Sequence, residues 1–264
     1  MGEYVVLDGS NSNRSKILGS VSNRPKEGKT EFVTIGGGGS TGGSTIKKIS
    51  KAETQAKNLK SKLNNYSTKI LEVKEQLSRM MKGTNGNAYW QGDNAADWYL
   101  SAIKQLNKMM GNYNNSYGEF EDFAILLDKG KTKSKYKGKG GAALKALVAS
   151  RRGTTYTAGI KYKNMDRERM SLTLPPTVSR DATNDDQNRE SYRAYNNVKT
   201  ALRSLSKICD SISKNWEDVA TNTKGSMHTD AKKRAKYIIE RRREIDNTIN
   251  NLESSYIGDI IFSR

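Results

Sequence analysis

Apolar residues recur at alternating steps of three and four along most of this chain, and that period constrains the fold more than any other feature. Ile49, Ala52, Ala56, Leu59, Leu63, Tyr66, Ile70, Val73, Leu77 and Met80 form one unbroken seam. Such a stripe can be buried only by a helix lying along another apolar surface. A helix over about 46 to 81 would be roughly 54 Å long. It stops at KGTNGN, where Gly83 and Gly86 supply turn chemistry. A second seam follows through Ala96, Tyr99, Ile103, Leu106, Met110, Tyr113, Tyr117, Phe120, Ala124 and Leu127. The connection is short, so the two helices must fold back on each other. A third seam runs from Tyr195 through Cys209 and Trp216 to Val219, and a fourth from Ala231 to Tyr256. Arg242 interrupts the fourth, a local conflict between charge and burial. The expected fold class is mainly α: two long antiparallel helical hairpins.

Between and before these seams the pattern changes. The three prolines stand at 25, 175 and 176. Residues 1–45 read as an extended arm ending in the tract GGGGSTGGST, whose composition suits a tether. Residues 46–128 are the first hairpin, 129–190 an insert and linker, and 191–264 the second hairpin. Within the insert, TTYTAGIKYKN and RMSLTL could pair as a β-hairpin. Hydrophobic residues make up 34% of the 264, low for one thick core and consistent with long rods carrying solvated arms. No apolar run approaches 18 residues, so no transmembrane helix is expected. The start MGEYVVLDGS has no basic region before an apolar core, so a cleavable signal peptide is not expected.

The turn of the first hairpin reads Tyr89-Trp90-Gln91-Gly92-Asp93-Asn94-Ala95-Ala96. Gly92 permits a tight reversal, and Trp90 can cap the open end of the helix pair with a large ring. A Trp-x-Gly between two long amphipathic helices resembles the WXG100 (ESAT-6-like) family, over about residues 46 to 127. The second hairpin looks like a degenerate copy, with Trp216 followed by Glu217-Asp218. The resemblance implies small helical hairpins that dimerise, many of them type VII secretion substrates tagged by Tyr-x-x-x-Asp/Glu just beyond the second helix. Tyr117 and Glu121 have that spacing but sit within the second seam; Tyr256 and Asp259 are one residue short. Hairpins of this shape also occur in phage and tail-associated proteins.

Chemistry is sparse. Cys209 occupies a seam position and reads as a small core residue. His228 has no companion, and no Cys or His pairs have metal-ligand spacing. The Gly tract lacks the Gly-Lys-Ser/Thr of a phosphate loop. No catalytic residues, cofactor or metal are expected. Charge is more telling: 46 Lys and Arg against 28 acids give +18. Residues 129–169 hold thirteen Lys or Arg and two acids. Lys129, Lys131, Lys133, Lys135, Lys137 and Lys139 occupy alternate positions, which in an extended chain would align them on one side at roughly 6–7 Å. With Arg151 and Arg152 they make the expected polyanion site, for nucleic acid, an acidic protein, teichoic acid or anionic lipid. Tyr136 is available to stack. The sequence thus points to a non-enzymatic assembly protein that partners other subunits as a homo- or hetero-oligomer. The arm and insert favour a phage virion component of head or tail; the Trp-x-Gly motif favours a type VII secretion substrate or partner, secreted without a classical signal peptide.

Overall fold

The computed structural model describes residues 44–83, 88–135, 162, 164–171 and 185–261. Among these residues the fold is mainly helical, with four long helices and a small two-stranded sheet. In chain order the elements are β1 (Thr45–Ile46), α1 (Ile49–Lys82), α2 (Asp93–Lys135), a 3-10 turn (Met165–Glu168), α3 (Asp185–Asn222), β2 (Thr223–Lys224) and α4 (Ser226–Ile261).

Each helix packs on two others. The main contacts run α1 with α2, α2 with α4, α4 with α3, and α3 with α1. The side-chain contacts fix the directions. Tyr66 of α1 donates its hydroxyl to Asn112 Oδ1 of α2 at 3.3 Å, while Glu53, near the start of α1, pairs with Lys131 near the end of α2. Gln55 reaches the Asp218 carbonyl of α3 at 2.6 Å, and Lys62 reaches that of Ser211 at 2.9 Å. Trp98 of α2 donates to the Thr248 carbonyl of α4 at 3.0 Å, and Glu119 meets Arg234. Lys199 of α3 pairs with Glu253 of α4 at 3.0 Å, and Ser213 donates to the Ala235 carbonyl. In all four contacts one number rises as the other falls, so every neighbouring pair is antiparallel.

This arrangement explains a difference from the single seam per helix. Most seam residues are buried, among them Leu59, Tyr66, Val198, Cys209, Ile238 and Leu252. On α2, however, Ala95, Trp98, Ala102, Met109, Phe123 and Leu126 are buried as well. They form a second stripe beside the first, because α2 faces α4 as well as α1. Burial pushes the Cys209 thiol up to about 12, which keeps it protonated in the core. Arg242, the interruption of the fourth seam, sits at the rim of the α3–α4 contact, with Asp210 at 2.8 Å and Asp246 at 3.3 Å. The conflict is settled by two carboxylates rather than by burial.

The ends of the bundle differ. At one end β1 pairs antiparallel with β2, Thr45 opposite Lys224 and Ile46 opposite Thr223. Lys48, the residue before α1, has no side-chain cap of its own. Its backbone N–H instead donates to Asn222 Oδ1 at 3.1 Å, and its carbonyl accepts from Asn222 Nδ2 at 3.0 Å. The end of α3 therefore caps the start of α1, a tertiary substitute for the usual local cap.

Several expected boundaries shift. Helix α2 continues past 128 to Lys135, so Lys129, Lys131, Lys133 and Lys135 are helical rather than extended. Alternate positions on a helix lie about 200° apart, so these lysines do not align on one side. The helix persists because α1 is still beside it there: Gly130 is buried and Lys131 pairs with Glu53. Lys137, Lys139, Arg151 and Arg152 lie outside the described residues, as do Tyr136 and nearly all of the arm. Helix α3 starts at Asp185, before the expected 191. Of the expected β-hairpin over 154–164 and 169–174, the described positions 162, 164 and 169–171 are not strand and the rest lie outside the described residues; Met165–Glu168, between the two runs, form a 3-10 turn. This segment is strapped along α2. Asn107 accepts from the Met170 N–H at 3.0 Å and donates to the Met170 carbonyl at 2.9 Å. Asn114 Oδ1 accepts from the Met165 N–H at 3.1 Å, and the Met165 side chain is fully buried.

The least replaceable polar contact inside the bundle is Arg234 with Glu119, at 2.8 Å, with side chains only 3% and 13% exposed. Burial raises the Glu119 carboxyl and the Arg234 charge opposes that rise. Glu119→Ala strands a buried guanidinium, so urea unfolding should show a loss of about 3–5 kcal/mol. Replacing both residues with apolar side chains of similar volume should recover most of it.

Candidate interaction site at the Trp-x-Gly turn

Trp90 and Gly92 stand between α1 and α2, and their surroundings come from the far end of the chain. The Trp90 ring is 1% exposed. Its neighbours are Trp98, Tyr99 and Tyr256, each with ring centroids 5.6 Å away. Tyr256 in turn stacks on Tyr195 of α3 at 4.4 Å. The Tyr99 hydroxyl donates to the Trp90 carbonyl at 3.1 Å, and burial raises Tyr99 far above its ordinary value. Aromatic edges meeting faces at these separations add to simple burial.

Asp259, in the last turn of α4, joins the polar half of the cluster. Its carboxylate accepts from Trp90 Nε1 at 2.8 Å, Asn94 Nδ2 at 2.7 Å and the Ala95 backbone N–H at 3.1 Å. It thereby caps the N-terminus of α2 from another helix. A carboxylate is favourable at a helix N-terminus and unfavourable at a C-terminus. Its place in the last turn of α4 makes sense only through α2.

The glycine is required twice over. Gly92 has φ +129°, in the region that disfavours a side chain, and a Cβ there would lie 2.7 Å from Asp259 Oδ2. Its carbonyl accepts from the Ala96 N–H at 3.3 Å, starting α2. The motif thus brings a carboxylate against the backbone and an indole against the same carboxylate. With three donors on Asp259 and no space at Gly92, this is a clasp between α2 and α4 rather than a substrate pocket.

Beside the clasp is a cavity of about 440 Å³ between the end of α1 and the start of α3, lined by Gln76, Arg79, Lys82, Tyr89, Glu190 and Arg193 among others. Arg193 lies 3.8 Å from Glu190, and Arg79 lies 2.5 Å from Glu75.

The other singled-out residues fall elsewhere. Tyr117 and Glu121 are in mid-α2, about 35 Å along the axis from the clasp. The Tyr117 ring stacks on Tyr162 at 4.0 Å. Burial, then Glu121, pushes its hydroxyl up to about 12. Trp216, the counterpart in the second half, lies inside α3, and its buried Nε1 has no hydrogen-bond partner among the described residues. Among the described residues, no group of three His, Cys, Asp or Glu could hold a metal, and no helix is long and apolar enough to cross a membrane.

Sequence reading reached Trp90 and Gly92 but gave Asp259, Asn94 and the Asn107–Asn114 strap no role. A signal for Asp259 was present: an acid in the last turn of a helix that otherwise ends unfavourably for it.

The clasp predicts coupling. Gly92→Ala should destabilise the fold by at least about 1–3 kcal/mol from backbone strain, with the clash added. Asp259→Ala should cost a similar amount by orphaning the Trp90 indole. In urea unfolding the double variant should lose clearly less than the two losses combined. Additivity within about 0.5 kcal/mol would show that the residues do not act together.

In comparisons with known proteins, no family model, curated protein or solved structure matches the chain.

Proposed function

We propose that the chain is a non-enzymatic assembly protein built from two WXG100-like helical hairpins in tandem, α1–α2 and α3–α4, which serve as each other's partner. The observation that carries this reading is the clasp. Tyr256 and Asp259, from the end of the second helix pair, close the Trp90–Gly92 turn of the first. Hairpins of the resembled family dimerise through their apolar faces; here both faces belong to one chain, which leaves the outer surfaces for other macromolecules. The polar atoms at the turn are spent on one another, which argues for a structural role over catalysis.

The setting we favour is a phage particle, head or tail, with the arm and the basic insert reaching neighbouring subunits or packaged DNA. Both segments lie mostly outside the described residues, so this setting rests on their composition. The clasp itself supports a second setting, a type VII secretion substrate or secretion partner, because it brings a Trp-x-Gly turn beside a Tyr and an Asp near the end of a helix.

Fractionating the native source separates the two. A particle component should band with purified virions at a fixed copy number per particle. A secretion substrate should appear in culture supernatant and vanish from it when the type VII ATPase is deleted. A chain found only as a free monomer inside cells, associated with neither, would overturn the assembly reading.

A further inference from the structure

The outer face formed by α1 and α3 belongs to neither the clasp nor the basic insert. Three contacts show which edges of the two helices meet there. Lys47 donates to the Thr221 carbonyl at 2.6 Å and Lys62 to the Ser211 carbonyl at 2.9 Å, and Arg79 and Arg193 share one cavity. Heptad spacing extends those edges along the whole junction. On α1 the outer line is Lys51, Asn58, Asn65, Glu72 and Arg79, and the line beside it Gln55, Lys62, Lys69 and Gln76. On α3 the outer line is Arg193, Thr200, Lys207, Lys214 and Thr221, and the inner one Glu190, Asn197, Ser204, Ser211 and Asp218.

These four lines contain seven cations, three acids and otherwise only Asn, Gln, Ser and Thr. The lines run roughly 42 Å along the bundle. Lys69 is paired with Glu72 at 2.6 Å, and Arg79 with Glu75. Among the described residues, no carboxylate lies within ion-pair distance of Lys51, Lys62, Lys207 or Lys214. Partial burial lowers the Lys62 ammonium from its ordinary value, Asp218 opposes that fall, and Lys214 adds a smaller push downward. Cations lined along one edge without direct ion-pair partners make a surface that an external polyanion can neutralise.

We propose that the α1–α3 face binds the phosphate backbone of duplex nucleic acid without sequence preference. Charge complementarity requires a polyanion, and the rest of the face narrows the class. The exposed large apolar side chains among the described residues are Tyr162, Tyr192, Tyr237 and Ile257, and none stands on these four lines. Tyr89 and Tyr192 stand only at the Arg193 end, so the lines offer no row of rings for stacking on unpaired bases and no hydrocarbon for insertion into a lipid surface. Amides and hydroxyls between the cations match the donors that fix a protein on phosphates and sugars. A face of about 42 Å spans roughly one and a quarter turns of duplex. The proposal concerns a surface distinct from the insert and does not depend on the assembly reading.

The test uses the full chain with Lys51, Lys62, Lys207 and Lys214 changed to Gln, and a charge-matched control with Lys232, Lys233, Lys236 and Arg243 of α4 changed to Gln. Binding to a labelled 30-base-pair duplex is read by fluorescence anisotropy from low to moderate salt. The first variant should lose at least tenfold in affinity, and its log–log salt slope should fall by about 3–4, near 0.9 per phosphate contact. The control should keep the parent slope. A variant with Lys51, Lys207 and Lys214 alone should lose proportionately, which covers the case in which Lys62→Gln, losing its bond to Ser211, unfolds the chain. Equal losses in variant and control would overturn the proposal, since net charge alone would explain them. So would tighter binding to phosphatidylserine vesicles, single strands or polyglutamate than to duplex.

Discussion

Helix α2 carries more apolar surface than one partner can cover, and the four-helix arrangement follows from that excess. A single heptad stripe would be satisfied by one neighbour, as in a two-stranded coil. The second stripe on α2, from Ala95 and Trp98 to Phe123 and Leu126, has to be buried as well, and α4 is the surface that buries it. In this shared core each rod lies antiparallel to both its neighbours. That leaves α2 and α3 pointing the same way, so the segment between them must return along the length of the bundle. The strap at Met165–Met170, held by Asn107 and Asn114, is part of that return.

With the long sides closed by apolar packing, the two ends carry the polar specificity, by different means. At the β1–β2 end, Asn222 gives its amide to the backbone of Lys48 and to Gln55 Oε1. At the other end, Asp259 collects three donors from the start of α2 beneath an aromatic roof. In both cases a residue at the end of one helix caps the beginning of another. Unsatisfied groups at helix ends thus become registration points, since sliding a helix by one turn would leave these groups unpaired.

Much of the fold was legible in the sequence because heptad spacing is a local property with an unambiguous geometric consequence. The seams over α1, α3 and α4 named nearly every core residue on those helices, and Cys209 was read correctly as packing. Trp90 and Gly92 were legible because a glycine between two seams has few other uses. Other features were not. The alternating lysines from 129 would align on one side in an extended chain, yet Lys129 to Lys135 continue α2, because helix length there is set by the neighbour α1 and not by composition. Met165 is a single apolar residue in a polar stretch, and no periodicity announces it.

What the sequence determined by itself was four amphipathic rods, a tight turn at Gly92 and a strong excess of positive charge. Those depend only on which side chains recur at which spacing. Tertiary structure alone decided that α1 meets α3 and α2 meets α4, that Asp259 would cap α2 against the preference of its own helix, and that two basic edges far apart in sequence would become one surface. Each of these joins residues more than a hundred positions apart, and the energy that selects them comes from closing a shared core, which no local pattern encodes.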